Sequence, residues 1–108
     1  MDKYKTYIKG VGKDLYYDGG ELKFYRNYFI GRLLKKKGTL VGELSIDQVL
    51  NIKHRRGSML FDGKLEFFTA QDSQAFAFDQ AKNYIVYPYD QNKVVKDLID
   101  HLQKTYGL

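Results

Sequence analysis

Residues with catalytic or metal-binding chemistry are few and scattered in this sequence. The two histidines, His54 and His101, have no partner at the His-x-x-x-His spacing of a metal-binding helix. No serine has the Gly-x-Ser-x-Gly context of an activated nucleophile. The chain has no cysteine, which excludes disulfides and thiolate metal sites. We therefore expect no enzyme activity, no catalytic residue, no metal and no cofactor.

Two short spacings come closest to a functional motif. Residues 10–14 read Gly-Val-Gly-Lys-Asp, like part of a phosphate-binding loop, but Tyr7 stands where that loop has glycine and Asp14 where it has Ser or Thr. A hairpin turn is therefore the better interpretation. Asp97 and His101 are four residues apart in a helical stretch, within reach of a hydrogen bond, and an exposed pair on the helix surface is the better interpretation.

Basic residues are the more informative feature. Residues 1–64 carry 14 Lys or Arg against 7 acids, whereas residues 65–108 carry 4 against 6. Clusters of cations next to glycine turns present several charges to one surface, and anionic lipids or nucleic acids are the surfaces that attract them. The candidate ligand-binding residues are Lys13, Lys23, Arg26, Lys35, Lys36, Lys37, Lys53, Arg55 and Arg56. The competing interpretation is a set of solubilising turns and charged strand edges.

Aromatic residues alternate with polar ones over residues 24–29, where Phe24, Tyr25, Tyr28 and Phe29 surround Arg26 and an asparagine. Exposed rings beside cations stack on the bases of single-stranded nucleic acid. The same pattern arises when rings fill a core and pair across strands. A small basic barrel that binds single strands is therefore the alternative function.

The elements that position these residues are mostly strands. The 108 residues contain seventeen Phe or Tyr and four Ala, a balance that favours β-structure in one domain spanning residues 1–108. Glycine turns separate short strand-like runs. The predicted strands cover residues 14–17, 21–26, 28–34, 39–44, 49–55, 64–69, 75–78 and 83–87, and residues 1–6 are expected to fray.

The last segment has helical periodicity. From Gln91 onward the apolar residues fall within an arc of about 140° at 100° per residue, so they form one helix face. Gly107 fits the position that follows a helix. These elements predict a mainly β fold: a curled antiparallel barrel or sandwich of about seven strands, closed by one amphipathic C-terminal helix.

The order of these features resembles small bacterial members of the pleckstrin-homology-like superfamily. Three stretches carry the resemblance: a hairpin over residues 15–24, a Leu-Ser-Ile turn into a central strand over residues 42–52, and the strand Asn83–Tyr87 followed by the helix. Together they span about residues 14 to 106. The resemblance implies a non-catalytic module that binds phosphoinositide headgroups, peptides or a copy of itself.

In lipid-binding members of that superfamily, a Lys-x-Arg pattern on the second strand grips phosphates. Here Lys23 and Arg26 have the spacing Lys-x-x-Arg, which places them on opposite faces of a strand and departs from the pattern. The expected function is recognition of a protein partner, self-association included, or of an anionic lipid surface, with nucleic acid the less favoured partner. We expect a cytoplasmic chain, peripheral at the membrane if it binds lipid, with no signal peptide and no transmembrane segment.

Overall fold

A computed structural model describes residues 2–27, 38–73 and 83–108, which form two antiparallel sheets and a C-terminal helix. The first sheet has the strand order β1-β2-β3-β4: β1 Lys5–Ile8, β2 Lys13–Asp18, β3 Glu21–Arg26 and β4 Leu40–Ser45. The second has the order β5-β6-β7: β5 Asn51–Arg55, β6 Gly63–Phe68 and β7 Asn83–Tyr87. Helix α1 (Ala70–Ser73) follows β6, and α2 (Asn92–Tyr106) ends the fold.

The predicted mainly β fold with one long C-terminal helix is confirmed. Observed strands β3 and β7 match their predicted bounds, and β2, β4, β5 and β6 each begin and end within two residues of prediction. The predicted strands over residues 28–34 and 75–78 lie outside the described residues. Where the prediction offered a closed barrel, the described strands instead form two separate sheets.

Strand β1 was not predicted. Its residues, Lys-Thr-Tyr-Ile, pair with β2 in the register Lys5↔Asp18 to Ile8↔Leu15, and the segment was expected to fray as far as residue 6. Ile8 is fully buried, so the strand is held both by backbone pairing and by the core. A four-residue strand with one buried side chain has almost no periodicity to detect.

The two sheets meet at the turn between β1 and β2. The Val11 N–H donates to the Val86 carbonyl of β7 at 2.8 Å. Beneath this turn the buried Asp14 carboxylate accepts hydrogen bonds from the Gly10 N–H, the Tyr7 hydroxyl and the Asn27 amide, at 3.0, 2.8 and 2.6 Å. The hairpin turn therefore lies between Ile8 and Lys13, and Asp14 in the first residues of β2 is used internally.

A single core joins both sheets to α2. The helix contributes Val95, Leu98, Ile99 and Leu102, which are at most 5% exposed. Gly107 ends α2 in the left-handed conformation, with φ of 72°, as predicted from the sequence. In the described ranges, no helix is long and apolar enough to cross a bilayer.

An aspartate near the N-terminus joins β2 to α2. The Asp2 carboxylate accepts hydrogen bonds from the hydroxyls of Tyr17 and Tyr106 and from the Tyr4 N–H, and it lies 3.0 Å from Nε2 of His101. The His101 ring stacks on Tyr4 with centroids 4.4 Å apart. We call these five residues the Asp2 cluster. It holds the N-terminal segment that was expected to fray.

The partner predicted for His101 was therefore wrong. Asp97 instead lies 3.7 Å from Lys93 in an exposed pair, and Asp2 takes its place beside the histidine. Burial alone would raise the pKa of Asp2, but its hydrogen bonds, that of Tyr17 foremost, hold the pKa well below its usual value. Burial and the bond to Asp2 raise the pKa of Tyr17, which stays a neutral donor.

The Asp2 cluster predicts acid-sensitive stability. Because the folded pKa of Asp2 is lowered, its stabilisation is complete above the ordinary value of 3.8 and is lost as the pH falls below it. Asp2→Asn should lower the free energy of unfolding at pH 7 by about 1.5–3 kcal/mol, the range for hydrogen bonds to a charged group. Denaturant titrations at pH 7 and pH 3 measure both effects.

The matched control is Asp18→Asn, which removes the same charge from an exposed carboxylate 4.0 Å from Lys5. It should change stability by less than about 1 kcal/mol. If Asp2→Asn were as stable as the wild type at pH 7, with the same loss of stability on acidification, the cluster would not be what secures the N-terminus.

Candidate functional site

The hairpin of β5 and β6 gathers three of the predicted site residues. Lys53, Arg55 and Arg56 are all exposed, and we call them the basic collar. Lys64 faces Arg55 across the strand pair. Residues 51–68 contain four Lys or Arg against two acids. Glu66 lies 4.0 Å from Lys64, so the cations exceed the acids by two and leave a positive potential on this hairpin.

The tip of the same hairpin is apolar. Met59, Leu60 and Phe61 are 85%, 86% and 72% exposed, the highest values among the large apolar residues that the structure describes. We call these three residues the apolar tip. Single exposed apolar residues are ordinary, but three in succession at a protruding turn mark an interaction site.

Hydrogen bonds close the turn that carries the apolar tip. The Ser58 N–H donates to the Phe61 carbonyl at 2.7 Å, and the Phe61 N–H donates to the Ser58 hydroxyl at 3.1 Å. The guanidinium of Arg55 donates to the Asp62 carbonyl at 3.3 Å. The tip is therefore an ordered turn, and one collar cation lies directly at its base.

Two glycines form a narrow neck below the tip. A Cβ at Gly63 would lie 2.4 Å from ring atoms of Tyr87, and a Cβ at Gly57 would lie 3.0 Å from the Tyr89 backbone. A contact of 2.4 Å does not occur between real side chains and their neighbours, and one of 3.0 Å is tighter than most, so a larger residue at either position would force the hairpin or its neighbours to shift. We call Gly57 and Gly63 the glycine neck.

The neck is tied to the start of α2. The Gly57 N–H donates to Oδ1 of Asn92, and Nδ2 of Asn92 donates to the Gly57 carbonyl, both at 2.9 Å. The Tyr87 hydroxyl donates to the Arg55 carbonyl at 3.1 Å. Burial raises the pKa of Tyr87, although Arg55 and Arg56 oppose this, so the phenol remains a donor. These bonds fix the direction in which the hairpin projects.

The predicted site residues of the first sheet serve other contacts. Lys13 is partly buried, with its ammonium 3.9 Å from the centroid of the Tyr84 ring, and burial lowers its pKa. Lys64 lies 5.2 Å from the same ring. Arg26 is directly opposite Lys13 in the β2–β3 register. Lys13 thus belongs to the junction between the sheets rather than to an open phosphate site.

Lys23 is separated from this junction. It lies across from Tyr16 in the register and 3.9 Å from Glu43, with both side chains partly exposed. The structure therefore does not bring Lys23 together with Arg26, as their odd spacing predicts. Lys35, Lys36 and Lys37 lie outside the described residues.

The aromatic run that suggested nucleic acid is divided between two environments. Phe24 is 3% exposed and packs in the core against Phe67. Tyr25 packs edge-on against Tyr16, whose ring also contacts Tyr7. These tyrosines line a shallow hollow of about 480 Å³ whose rim carries both signs of charge: Lys5, Asp18, Glu21 and Lys23. Residues 28–29 lie outside the described residues.

A second concavity lies between β5 and α2. This groove of about 770 Å³ has His54 and Arg56 on the strand side, and its lining includes Tyr87, Val95 and Ile99. The strand order leaves the outer edge of β5 without a partner among the described strands. Such an edge beside a groove is able to accept an extended segment as an added strand.

The described parts of the chain bring no three His, Cys, Asp or Glu side chains together in a way that would hold a metal ion. Sequence reasoning found the basic collar but missed the apolar tip. The available signal was three apolar residues between Gly57-Ser58 and Asp62-Gly63, where turn residues are expected to be polar.

Asn92 should control how firmly the hairpin is held. Asn92→Ala leaves the buried backbone groups of Gly57 without their partners, so the free energy of unfolding should fall by about 1–3 kcal/mol. Amide exchange at residues 57–63 should quicken more than exchange in β2 or β3. Hydrogen exchange measured by NMR distinguishes the two regions.

The control for this experiment is Lys96→Ala, an exposed change on the same helix. It should leave both quantities nearly unchanged. Equal exchange rates at residues 57–63 in Asn92→Ala and the wild type would mean that the amide does not fix the hairpin.

No protein-family model, curated protein or solved structure matches this sequence.

Proposed function

We propose that this chain is a non-catalytic, pleckstrin-homology-like module that binds an anionic membrane surface through the β5–β6 hairpin. One observation carries the proposal: the exposed cations of the basic collar flank a protruding tip whose side chains are apolar. Anionic headgroups over an apolar interior have the complementary arrangement of charge and apolar surface.

The architecture supports the family part of the proposal. Seven described strands and a C-terminal helix packed on their common core agree with the number and order of elements on which the resemblance rests. The proposed binding site lies on the β5–β6 hairpin, whereas the resemblance places phosphate-binding cations on the first strands. Lys13 is committed to Tyr84 and Lys23 lies beside Glu43, so the hairpin offers the better set of accessible cations.

The attraction is of the size needed for reversible binding. A cation close to an anionic membrane contributes about 1 kcal/mol, and the effect fades beyond a Debye length of about 8 Å at physiological salt. The three collar cations belong to one hairpin, with the Lys53 ammonium 5.3 Å from the Phe68 ring and the two arginines nearer the tip. The expected binding is therefore salt-sensitive.

A protein partner is the second candidate, supported by the groove between β5 and α2. An extended peptide there would pair with the free edge of β5 and lie over Val95 and Ile99. Self-association has a comparable basis at β4, where Leu40 and Val41 are each 43% exposed. The groove is lined by acids as well as cations, and Leu40 and Val41 are less exposed than the apolar tip, which is why the lipid surface comes first.

Single-stranded nucleic acid receives less support. Stacking needs exposed rings, whereas Phe24 is buried and the rings of Tyr16 and Tyr25 pack on one another. The hollow that these tyrosines line has acidic as well as basic residues at its rim, which weakens attraction to phosphates.

The collar is tested by replacing Lys53, Arg55 and Arg56 together with Gln. Binding to phosphatidylcholine vesicles that contain phosphatidylserine should weaken by about two decades at low salt, since three cations of about 1 kcal/mol each are removed. Co-sedimentation at two salt concentrations measures this loss. A single-stranded oligonucleotide is titrated in parallel.

The matched control replaces three exposed lysines away from the hairpin with Gln: Lys3, which precedes β1, and Lys5 and Lys23 of the first sheet. Net charge changes equally, but binding should fall by less than about one decade. Equal losses in the two triple variants would indicate attraction by net charge alone. Salt-sensitive binding to the oligonucleotide without binding to vesicles would contradict the lipid proposal and identify single-stranded nucleic acid as the ligand.

A further inference from the structure

We infer that Met59, Leu60 and Phe61 insert into the acyl-chain boundary of an anionic phospholipid bilayer. The hairpin then binds the membrane by apolar insertion as well as by charge attraction. The inference rests on the proposed function and extends it from surface attraction to insertion. It starts from the 72–86% exposure of three consecutive apolar side chains. Leaving that apolar area in water is unfavourable, and a bilayer removes the cost.

The shape of the tip favours a fluid medium over a protein surface. Met59, Leu60 and Phe61 occupy successive positions of a tight turn closed at Ser58, so their side chains leave the backbone in different directions. A flat protein face would cover one or two of them at once. Lipid chains surround a protruding tip on every side and so cover all three side chains at once.

Hydrogen bonds inside the turn already satisfy part of the backbone of the tip. Polar groups that lose water without gaining a hydrogen bond oppose insertion. Here the N–H groups of Ser58 and Phe61 and the Phe61 carbonyl already have partners inside the turn. Fewer backbone groups therefore lose hydrogen bonds to water when the tip enters the boundary.

Charges at the base of the tip set its depth. Arg55 donates to the backbone carbonyl of Asp62 and so places a guanidinium at the base of the tip. Arg56 follows in sequence, and Lys64 faces Arg55 across the neck. Arginine and lysine remain at headgroup level while apolar residues below them enter about 5–10 Å into the boundary.

The stiffness of the hairpin also helps binding. The bonds between Asn92 and Gly57, and the close packing of Gly63 on Tyr87, hold the tip in one orientation before any membrane is met. A preorganised tip loses less conformational entropy on binding than a loose loop does.

The sequence provides a clean optical test. The chain has no tryptophan, so Leu60→Trp introduces a single indole at the tip without disturbing the core. With phosphatidylcholine–phosphatidylserine vesicles, its emission should shift to the blue and be quenched by lipids brominated along the acyl chain.

The control is Leu50→Trp. Leu50 is 62% exposed and immediately precedes β5. At 3.3 Å per residue it lies about 17 Å from Arg55, at the other end of the strand. Its emission should remain unshifted and unquenched in the same vesicles. Circular dichroism of both variants should match the wild type, because neither side chain is buried.

A second measurement separates insertion from charge attraction. Replacing Met59, Leu60 and Phe61 together with Ser should weaken vesicle binding by about a hundredfold at both low and high salt, because apolar transfer is not screened. The difference in vesicle binding between the wild type and the variant that replaces Lys53, Arg55 and Arg56 should shrink as salt rises. Leu50→Ser is the matched control and should bind as the wild type does.

The outcomes distinguish the inference from its premise. Wild-type protein that fails to bind anionic vesicles at low salt would overturn both. Wild-type binding together with an unshifted, unquenched Leu60→Trp and full binding by the Ser variant would overturn insertion while leaving surface attraction intact. Capture of the tip by a protein, with Leu60→Trp unchanged by vesicles, would equally overturn insertion.

Discussion

The side-chain amide of Asn92 makes two hydrogen bonds to the backbone of Gly57, and the position of the candidate site depends on them. They join the β5–β6 hairpin to the first turn of α2, which is itself fixed by four buried side chains of the core. The glycine neck allows the hairpin to approach Tyr87 closely enough for those bonds to form. Without this tie the turn beyond the neck would be held only by the pairing of β6 with β7 and by the bond from the Tyr87 hydroxyl to Arg55.

Most of the fold could be predicted from the sequence because its signals are local. Glycine turns bound the runs that became β2, β3 and β6, and a 15-residue amphipathic helix repeats its apolar spacing several times. The division into two sheets depends instead on contacts distant in sequence, such as the bond from Val11 to Val86. The Asp2 cluster likewise joins residues about a hundred positions apart, which no spacing rule anticipates.

The candidate site could be predicted only in part. Lys53, Arg55 and Arg56 were visible as cations before a glycine turn, whereas the role of Lys13 was obscured because its partner, Tyr84, lies in another sheet. The apolar tip was missed because apolar residues in a sequence are normally expected to be buried. Only the structure shows that Met59, Leu60 and Phe61 lie beyond the neck, where no part of the described chain covers them.

The most direct test of this account is an NMR experiment on isotopically labelled protein with anionic bicelles that contain a lipid spin-labelled on its acyl chain. Paramagnetic broadening should be strongest at the amides of residues 59–61, weaker along β5 and β6 beyond the neck, and absent at Leu50. Broadening that is strongest in the groove between β5 and α2, or uniform over the surface, would contradict an inserted hairpin tip.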